Sequence, residues 1–102
     1  MIRHIVLTKF QSQTPESTIT EIYAGLGDLT RALPGASNFG GGKSQSPEQI
    51  ERGYMHGFSI DFESWDHLQA YSDNAQHKVL GGRIVENAQG GLDGVLVLDI
   101  EI

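Results

Sequence analysis

Cysteine is absent from the sequence, and basic residues are scarce. Without cysteine the chain has no disulfide bond, no thiolate nucleophile and no cysteine-ligated metal. Seven Lys and Arg residues stand against 13 Asp and Glu residues, so the formal net charge is −6 at pH 7. The basic residues are scattered along the chain and form no basic stripe that would neutralise phosphate groups. We therefore expect no nucleic-acid partner.

Long hydrophobic runs are also missing. No apolar run approaches the roughly 20 residues that are needed to cross a bilayer, and Met1–Leu7 lacks the pattern of a cleavable signal peptide. We therefore expect no membrane partner and a cytoplasmic location. The chain of 102 residues, 38% of them hydrophobic, shows no repeat or linker. Its composition predicts a single domain over residues 1–102.

The first half of the chain has the pattern of a strand, a helix and a second strand. Apolar residues occur in both alternating phases of Ile2–Phe10, which predicts a strand that is apolar on both sides. Thr14 can cap a helix with one apolar stripe, and this helix is predicted to end at Leu33–Gly35. Ala36–Lys43 is the next candidate strand. Its three successive glycines predict a bulge or a close backbone approach.

The second half adds a strand, two helices and a last strand. Tyr54–Phe62 alternates between two phases in the manner of a half-buried strand. Ser64 can cap a short helix, and Asn74 can cap another. The apolar faces of these two helices are predicted to be Trp65, Leu68 and Tyr71, and Val79, Leu80, Ile84 and Val85. Gly94–Ile102 is predicted as the last strand, again apolar in both phases.

This order of elements predicts an α+β fold of the ferredoxin-like, split βαβ type with an antiparallel sheet. Helices cover only one face of such a sheet, yet the first and last strands are apolar on both sides. Monomers rarely leave an apolar sheet face uncovered. Because a two-fold axis lets one patch pair with an identical copy, the sequence predicts a homodimer in which two sheets face each other.

Histidines occupy positions where a polar ring is not needed for solubility. His4 shares the phase of apolar residues in the first strand, and His56 does so in the third. These strands are neighbours in the split βαβ arrangement, so we expect the two imidazoles to lie near each other on one sheet face. Tyr71 and His77 are expected to overhang that face. Such a cluster offers a general base near neutral pH and a phenol that donates to an oxyanion.

Each candidate residue also has a plain structural interpretation. A histidine on an apolar strand is usually a hydrogen-bonded core residue, and Tyr71 alone would pack in the core. Tyr23 lies on the apolar stripe of the first helix, as core or pocket wall. Asp99 is predicted to orient a histidine or an arginine. Three imidazoles with Asp99 would suit zinc, but no histidine pair has the spacing of a known zinc motif, so no metal site is predicted.

Five segments stand in a characteristic order and spacing. They are Met1–Leu7, Arg52–Phe58, Asp61–Glu63, Ala70–Tyr71 followed by His77, and Asp93–Asp99. Together they resemble the stress-responsive dimeric α/β-barrel (Dabb) family over nearly the whole chain. The resemblance implies a ferredoxin-like protomer whose sheet pairs with that of a second copy into a dimeric α/β barrel.

Some members of this family close a linear polyketide by an intramolecular aldol condensation. The resemblance implies that Tyr71 and His77 are catalytic, that His4 and His56 contact the substrate, and that no cofactor is needed. The ligand that it implies is a small hydrophobic, aromatic or polyketide molecule. The pair Gly81–Gly82 departs from the usual pattern of the family.

Three hypotheses about function follow from these patterns. The leading one is a pocket in which His77 removes an acidic proton from carbon and Tyr71 donates to the enolate oxygen. The other candidate substrate-binding residues are His4, His56, Tyr23 and Asp99. The second hypothesis is a non-catalytic, stress-associated or ligand-binding dimer with structural histidines. The third is a cofactor-free monooxygenase of the related barrel type.

Overall fold

A four-stranded antiparallel sheet with three helices packed on one face makes up the structure, a computed structural model that describes residues 1–102. The strands are β1 (Ile2–Thr8), β2 (Ala36–Lys43), β3 (His56–Phe62) and β4 (Val95–Glu101). The helices are α1 (Glu16–Ala32), α2 (Trp65–Asp73) and α3 (Ala75–Asn87), and a short 3₁₀ helix, Gly91–Gly94, precedes β4. The strand order is β2-β3-β1-β4, with antiparallel neighbours throughout. This is the predicted ferredoxin-like α+β fold.

The central strand β1 separates two faces of the sheet by simple alternation. Ile2, His4, Val6 and Thr8 are buried on the face that the helices cover, whereas Arg3, Ile5 and Leu7 lie on the opposite, open face. The core between sheet and helices consists of 15 buried residues, among them Ile22, Leu26, Phe58, Ile60, Leu80 and Ile84. Full burial of each such side chain stabilises the fold by about 1.5–3 kcal/mol.

The glycine-rich strand β2 forms as predicted, with an irregularity and a close approach. Its register against β3 shifts between Ser37 and Gly40. A Cβ atom at Gly41 would lie 2.7 Å from the Cβ of Phe58, so only glycine allows this packing.

The predicted strand boundaries are wrong by two residues in β1 and β3. β1 ends at Thr8, and Phe10 makes only an isolated bridge with Ala88. β3 begins at His56 and not at Tyr54, because the preceding loop turns before it reaches the sheet. In both strands the alternation of apolar residues continues beyond the last pair that is hydrogen-bonded in the sheet. The pattern therefore overestimates the length of the strand.

Two helix details also differ from the prediction. Thr14 does not cap α1, because its hydroxyl donates to the carbonyl oxygen of Asn87 and Pro15 occupies the cap position. Trp65 and Val79 are 52% and 56% exposed, so they lie outside the buried stripes of α2 and α3. A membrane span needs a longer and more apolar helix than any of the three.

The open face of the sheet carries uncovered apolar side chains. The registers of β1 with β4 place Ile5 opposite Leu98 and Leu7 opposite Leu96. Leu98 and Ile100 are 47% and 45% exposed. Beside this patch the guanidinium of Arg3 donates to both carboxylate oxygens of Asp61, at 2.9 and 3.1 Å.

Candidate functional site

A cavity of about 360 Å³ lies between α3 and strands β1 and β4, on the helix-covered face. Seven of its 13 lining residues are hydrophobic: Val6, Phe58, Ile84, Val85, Leu92, Val95 and Val97. Its polar walls include two imidazoles, His4 from β1 and His77 from α3. An apolar cavity with a few convergent polar groups is the usual form of a small-molecule site.

The pairing of β1 with β4 places His4 directly opposite Asp99. The two side chains meet at 2.6 Å between Nδ1 and Oδ1. A carboxylate only accepts hydrogen bonds, so the hydrogen lies on Nδ1. The His4 side chain is 10% exposed, and that of Asp99 is 30% exposed. Asp99 therefore contacts a histidine in the way that would orient its ring, and Nε2 is the nitrogen of His4 that this contact leaves free.

His77 enters the cavity from the first turn of α3. The side chain of Asn74 caps this helix by accepting from the backbone N–H groups of Gln76 and His77. Nδ1 of His77 donates to the carbonyl oxygen of Ser72 at 3.2 Å, so the neutral ring has its lone pair on Nε2. Nε2 lies 3.9 Å from the position of a Cβ atom built on Gly81.

The pKa of His77 lies below its ordinary value of 6.5. Burial is the largest cause, because it disfavours the charged ring. The hydrogen bond to Ser72 acts in the opposite direction, and the charges of His4 and Lys78 lower the pKa further. His77 is therefore neutral at pH 7, and its Nε2 can accept a proton.

Tyr71 lies behind the two histidines. Its ring centroid is 4.2 Å from that of His77 and 5.7 Å from that of His4. The residue is 1% exposed, and its hydroxyl has no hydrogen-bond partner. Burial raises the pKa of this phenol above its usual range, so it stays a neutral donor. The hydroxyl is fully buried, and Tyr71 is not among the residues that line the cavity.

His56 lies at the other end of the same sheet face. It pairs with Thr8, four positions along β1 from His4, which corresponds to a separation of ~13 Å along the strand. The expectation that the two imidazoles lie near each other is therefore wrong. Alternation identifies the face to which a side chain points, but the antiparallel register decides its position along the strand.

A second cluster surrounds His56 at the N-terminal end of α1. Nε2 of His56 lies 3.0 Å from both carboxylate oxygens of Glu16, and Nδ1 is buried without a partner. A separate cavity of about 380 Å³ is lined by both residues and by Tyr23. The Tyr23 hydroxyl is also buried without a partner, and its pKa is raised by burial and by the charge of Glu16.

The predicted site residues thus fall into two groups. His4, Asp99, Tyr71 and His77 come together beside the first cavity, whereas His56 and Tyr23 line the second. Glu16 belongs to the second group but was not predicted, because a carboxylate in the first turn of a helix is already explained by the helix dipole. No sequence signal links Glu16 to a residue 40 positions later. No group of three or more His, Asp or Glu side chains is arranged to hold a metal ion.

Sequence comparison reveals clear relatives. The sequence model of the family described as Stress responsive A/B Barrel Domain matches residues 2–102. Stress-response A/B barrel domain-containing protein HS1 of Arabidopsis thaliana is 29% identical over 98 residues, covering 96% of this chain and 86% of HS1. Olivetolic acid cyclase of Cannabis sativa is 25% identical over 80 residues, covering 78% of this chain and 79% of the cyclase.

Solved structures share the whole fold. A dimeric ferredoxin-like protein of unknown function from Jannaschia sp. CCS1 superimposes with a TM-score of 0.92 at 32% sequence identity. The match covers 99% of this chain and 98% of the Jannaschia chain. The sheet and helices that carry both histidine groups are therefore common to the two proteins.

Proposed function

Because this chain belongs to the stress-responsive A/B barrel domain family, we propose that its first cavity binds a small carbonyl compound and removes a proton from the adjacent carbon. Members of the family include olivetolic acid cyclase, which is similar to this chain over 80 residues. The aldol closure that the family resemblance implies begins with the same proton removal.

The arrangement of His4 and His77 carries this proposal. Both rings line one largely apolar cavity, and both hold Nδ1 in a hydrogen bond to another group. In each ring Nε2 is therefore the nitrogen that remains for a ligand. Two imidazoles with different second partners, a carboxylate and a backbone carbonyl, suit two different roles in acid–base chemistry.

His77 acts as the base in the proposed reaction. Its neutral Nε2 takes the proton from the carbon next to the carbonyl group, and the electrons of the C–H bond form the enolate. His4, when it holds a second proton, donates from Nε2 to the enolate oxygen while Asp99 accepts from Nδ1. The carboxylate stabilises the imidazolium that this donation requires.

Tyr71 is the second proposed donor to the enolate oxygen, as the family resemblance implies. The observation that supports it is a neutral phenol in ring contact with both histidines and without a partner of its own. Because its hydroxyl is buried, donation requires that the groups covering it move when substrate binds. His56, Tyr23 and the contacting Glu16 are proposed as a separate polar subsite that does not take part in this proton transfer.

Hydrogen–deuterium exchange tests the proposal without knowledge of the natural substrate. An N-acetylcysteamine thioester of a β-keto acid is incubated in deuterated water, and proton NMR follows loss of the signal between the two carbonyl groups. We expect the protein to accelerate exchange above the buffer rate. Replacement of His77 with Ala should lower the protein-catalysed rate by about 10²-fold or more, the usual contribution of a general base.

A matched control is available in His67, a half-buried histidine of α2 that lines none of the cavities and bonds Ser64. His67→Gln should keep the full exchange rate. Exchange that never exceeds the buffer rate, or equal rates for the wild type and His77→Ala, would contradict the proposed function.

The packing of His4 favours a second candidate function, a non-catalytic ligand-binding protein with structural histidines. The centroid of the His4 ring lies 6.1 Å from that of Phe62 and 6.3 Å from that of Phe58. The ring also makes its hydrogen bond with Asp99. In that case His4→Gln lowers the melting temperature and no exchange activity exists to lose. The monooxygenase hypothesis stays a prediction, which oxygen uptake with a quinol would test.

We also propose that two copies of the chain pair through their open sheet faces as a dimeric α/β barrel. The exposed residues Leu98 and Ile100 support this, because an isologous contact would cover them with an identical patch. The dimeric state of the 32% identical Jannaschia protein supports it as well. The single-domain organisation, the cytoplasmic location, and the exclusion of nucleic-acid and membrane partners stay predictions.

A further inference from the structure

One lysine lines the first cavity. Lys78 is the only Lys, Arg, Asp or Glu among the 13 lining residues. It belongs to the face of α3 that forms the cavity wall, because Gly81, Gly82 and Val85 follow it at spacings of three, four and seven residues and also line the cavity. The residue as a whole is exposed. The apolar stem of a lysine covers protein surface while its ammonium group stays in water, so the charge of Lys78 lies at the mouth of the cavity.

Most basic side chains of this protein have a partner, but Lys78 has none. Of the seven basic residues, four form salt bridges with Asp or Glu and one, Lys9, lies over the ring of Tyr54. The other two are Lys78 and Arg52, and Arg52 lines none of the cavities. In a chain with a formal net charge of −6, an unpaired cation at the mouth of a cavity attracts an anionic ligand.

The charge of Lys78 acts on the group that the proposed reaction uses. It is one of the causes that lower the pKa of His77, so the ammonium group lies near that ring. No carboxylate lines the cavity. Asp99 contacts His4, and the two form a neutral pair when His4 holds its second proton. Lys78 is then the uncompensated charge of the site.

We propose that Lys78 binds a carboxylate group of the substrate, so that the first cavity selects carbonyl compounds that also carry an acid group. This inference rests on the proposed function and adds a substrate class and a specificity-determining residue. Lys78 directly follows His77 in α3, so the anion that it binds lies close to the reacting carbon. A carboxylate of the substrate itself meets this condition. The phosphate groups of coenzyme A do not, because the pantetheine arm separates them from the thioester carbonyl.

Two thioesters that differ in charge test this inference. The N-acetylcysteamine thioester of β-ketoadipic acid ends in a carboxylate at pH 7, and its methyl ester ends in an uncharged group. The concentration dependence of the deuterium exchange rate gives KM and the maximal rate for each compound. We expect the KM of the wild type to be about fivefold lower for the carboxylate, which corresponds to roughly 1 kcal/mol, the upper value for an exposed ion pair.

Lys78→Gln should abolish this preference. It should raise KM for the carboxylate compound and leave KM for the methyl ester unchanged, because only the carboxylate loses an ion pair. Lys78→Arg keeps the positive charge and should keep the preference. Arg52→Gln is the matched control, because it removes the other unpaired cation and changes the net charge by the same amount. It should behave like the wild type with both compounds.

Equal KM values for the two compounds in the wild type, or the same preference in the wild type and Lys78→Gln, would overturn the inference. Exchange that still depends on His77 would leave the proposed function standing in that case. A preference that depends on Lys78 but occurs only with coenzyme A thioesters would also overturn the inference, because the recognised anion would then be a phosphate of the carrier.

Absence of exchange with both compounds would instead contradict the proposed function. The role of Lys78 is then tested by thermal stabilisation with the same two compounds. Stabilisation of the wild type by the carboxylate compound, which Lys78→Gln abolishes, supports the inference. Equal stabilisation by the two compounds, equal stabilisation of the two proteins, or no stabilisation at all rejects it.

Discussion

Replacement of Tyr71 with Phe separates the packing of the ring from the chemistry of the hydroxyl. Tyr71 is 1% exposed, and its ring centroid lies 5.0 Å from that of Phe62 and 4.2 Å from that of His77. A phenylalanine ring at this position retains both contacts. The hydroxyl has no partner, and an unsatisfied buried polar group costs about 1–3 kcal/mol. We therefore expect Tyr71→Phe to raise the free energy of unfolding by about 1 kcal/mol. For a domain of this size the melting temperature then rises by roughly 4–8 °C.

The same replacement should lower the exchange rate. Loss of one donor to a developing oxyanion typically reduces a rate by about 10²-fold, or roughly 2.7 kcal/mol of transition-state stabilisation. A variant that is more stable and less active is the expected signature of a hydroxyl retained for chemistry. A residue with a purely structural role would not show this combination.

Urea denaturation followed by circular dichroism gives the stability, and the thioester exchange experiment gives the rate. Tyr23→Phe is the control for stability, because the Tyr23 hydroxyl is likewise buried without a partner but Tyr23 lines the second cavity and not the first. A loss of stability in Tyr71→Phe would mean that the hydroxyl has a favourable partner in the folded protein. An unchanged exchange rate would refute its role as a donor.

Three further predictions concern His77, Asp99 and the open sheet face. Because the pKa of His77 is lowered mainly by burial, protonation of this base should lower the exchange rate only at a pH below 6.5. The unfolded chain takes up this proton first, so stability should decrease as pH falls from about 6.5, and urea titrations of wild type and His77→Ala check this. Asp99→Asn keeps an acceptor for His4 but removes the charge, so the exchange rate should fall about tenfold or more with little change in melting temperature, since Asp99 is 30% exposed. Leu98→Glu should convert the proposed dimer to monomers in sedimentation experiments. Val79→Glu also replaces an exposed apolar residue, but it should leave the proposed dimer intact.

The fold was predictable because it depends on local periodicity. Alternation in β1 and β3 and the spacing of apolar residues in α1 identify which side chains are buried, whatever the rest of the chain does. Errors arose at the ends of elements. Phe10 and Tyr54 continue the alternating pattern, but the ladder has already ended there, and the hydroxyl of Thr14 finds a partner on a distant segment, at Asn87.

The composition of the candidate site was predictable only in part. The position of His4 within an apolar phase marks it as a residue that points under the helices, and the same holds for His56. Their separation into two clusters follows from the register of β1 against β3. The pairing of His56 with Glu16 joins residues 40 positions apart, and no local pattern encodes such a contact.

The elements, the faces of the strands and the family can be read from the amino-acid sequence, because each depends on residue types at short and regular spacing. That His4 and His77 share a cavity, that Asp99 contacts His4, and that Gly81 lies next to Nε2 of His77 is visible only in the tertiary structure. These contacts depend on how distant segments are placed against each other. Strand register and helix docking set that placement, and both result from packing over the whole core.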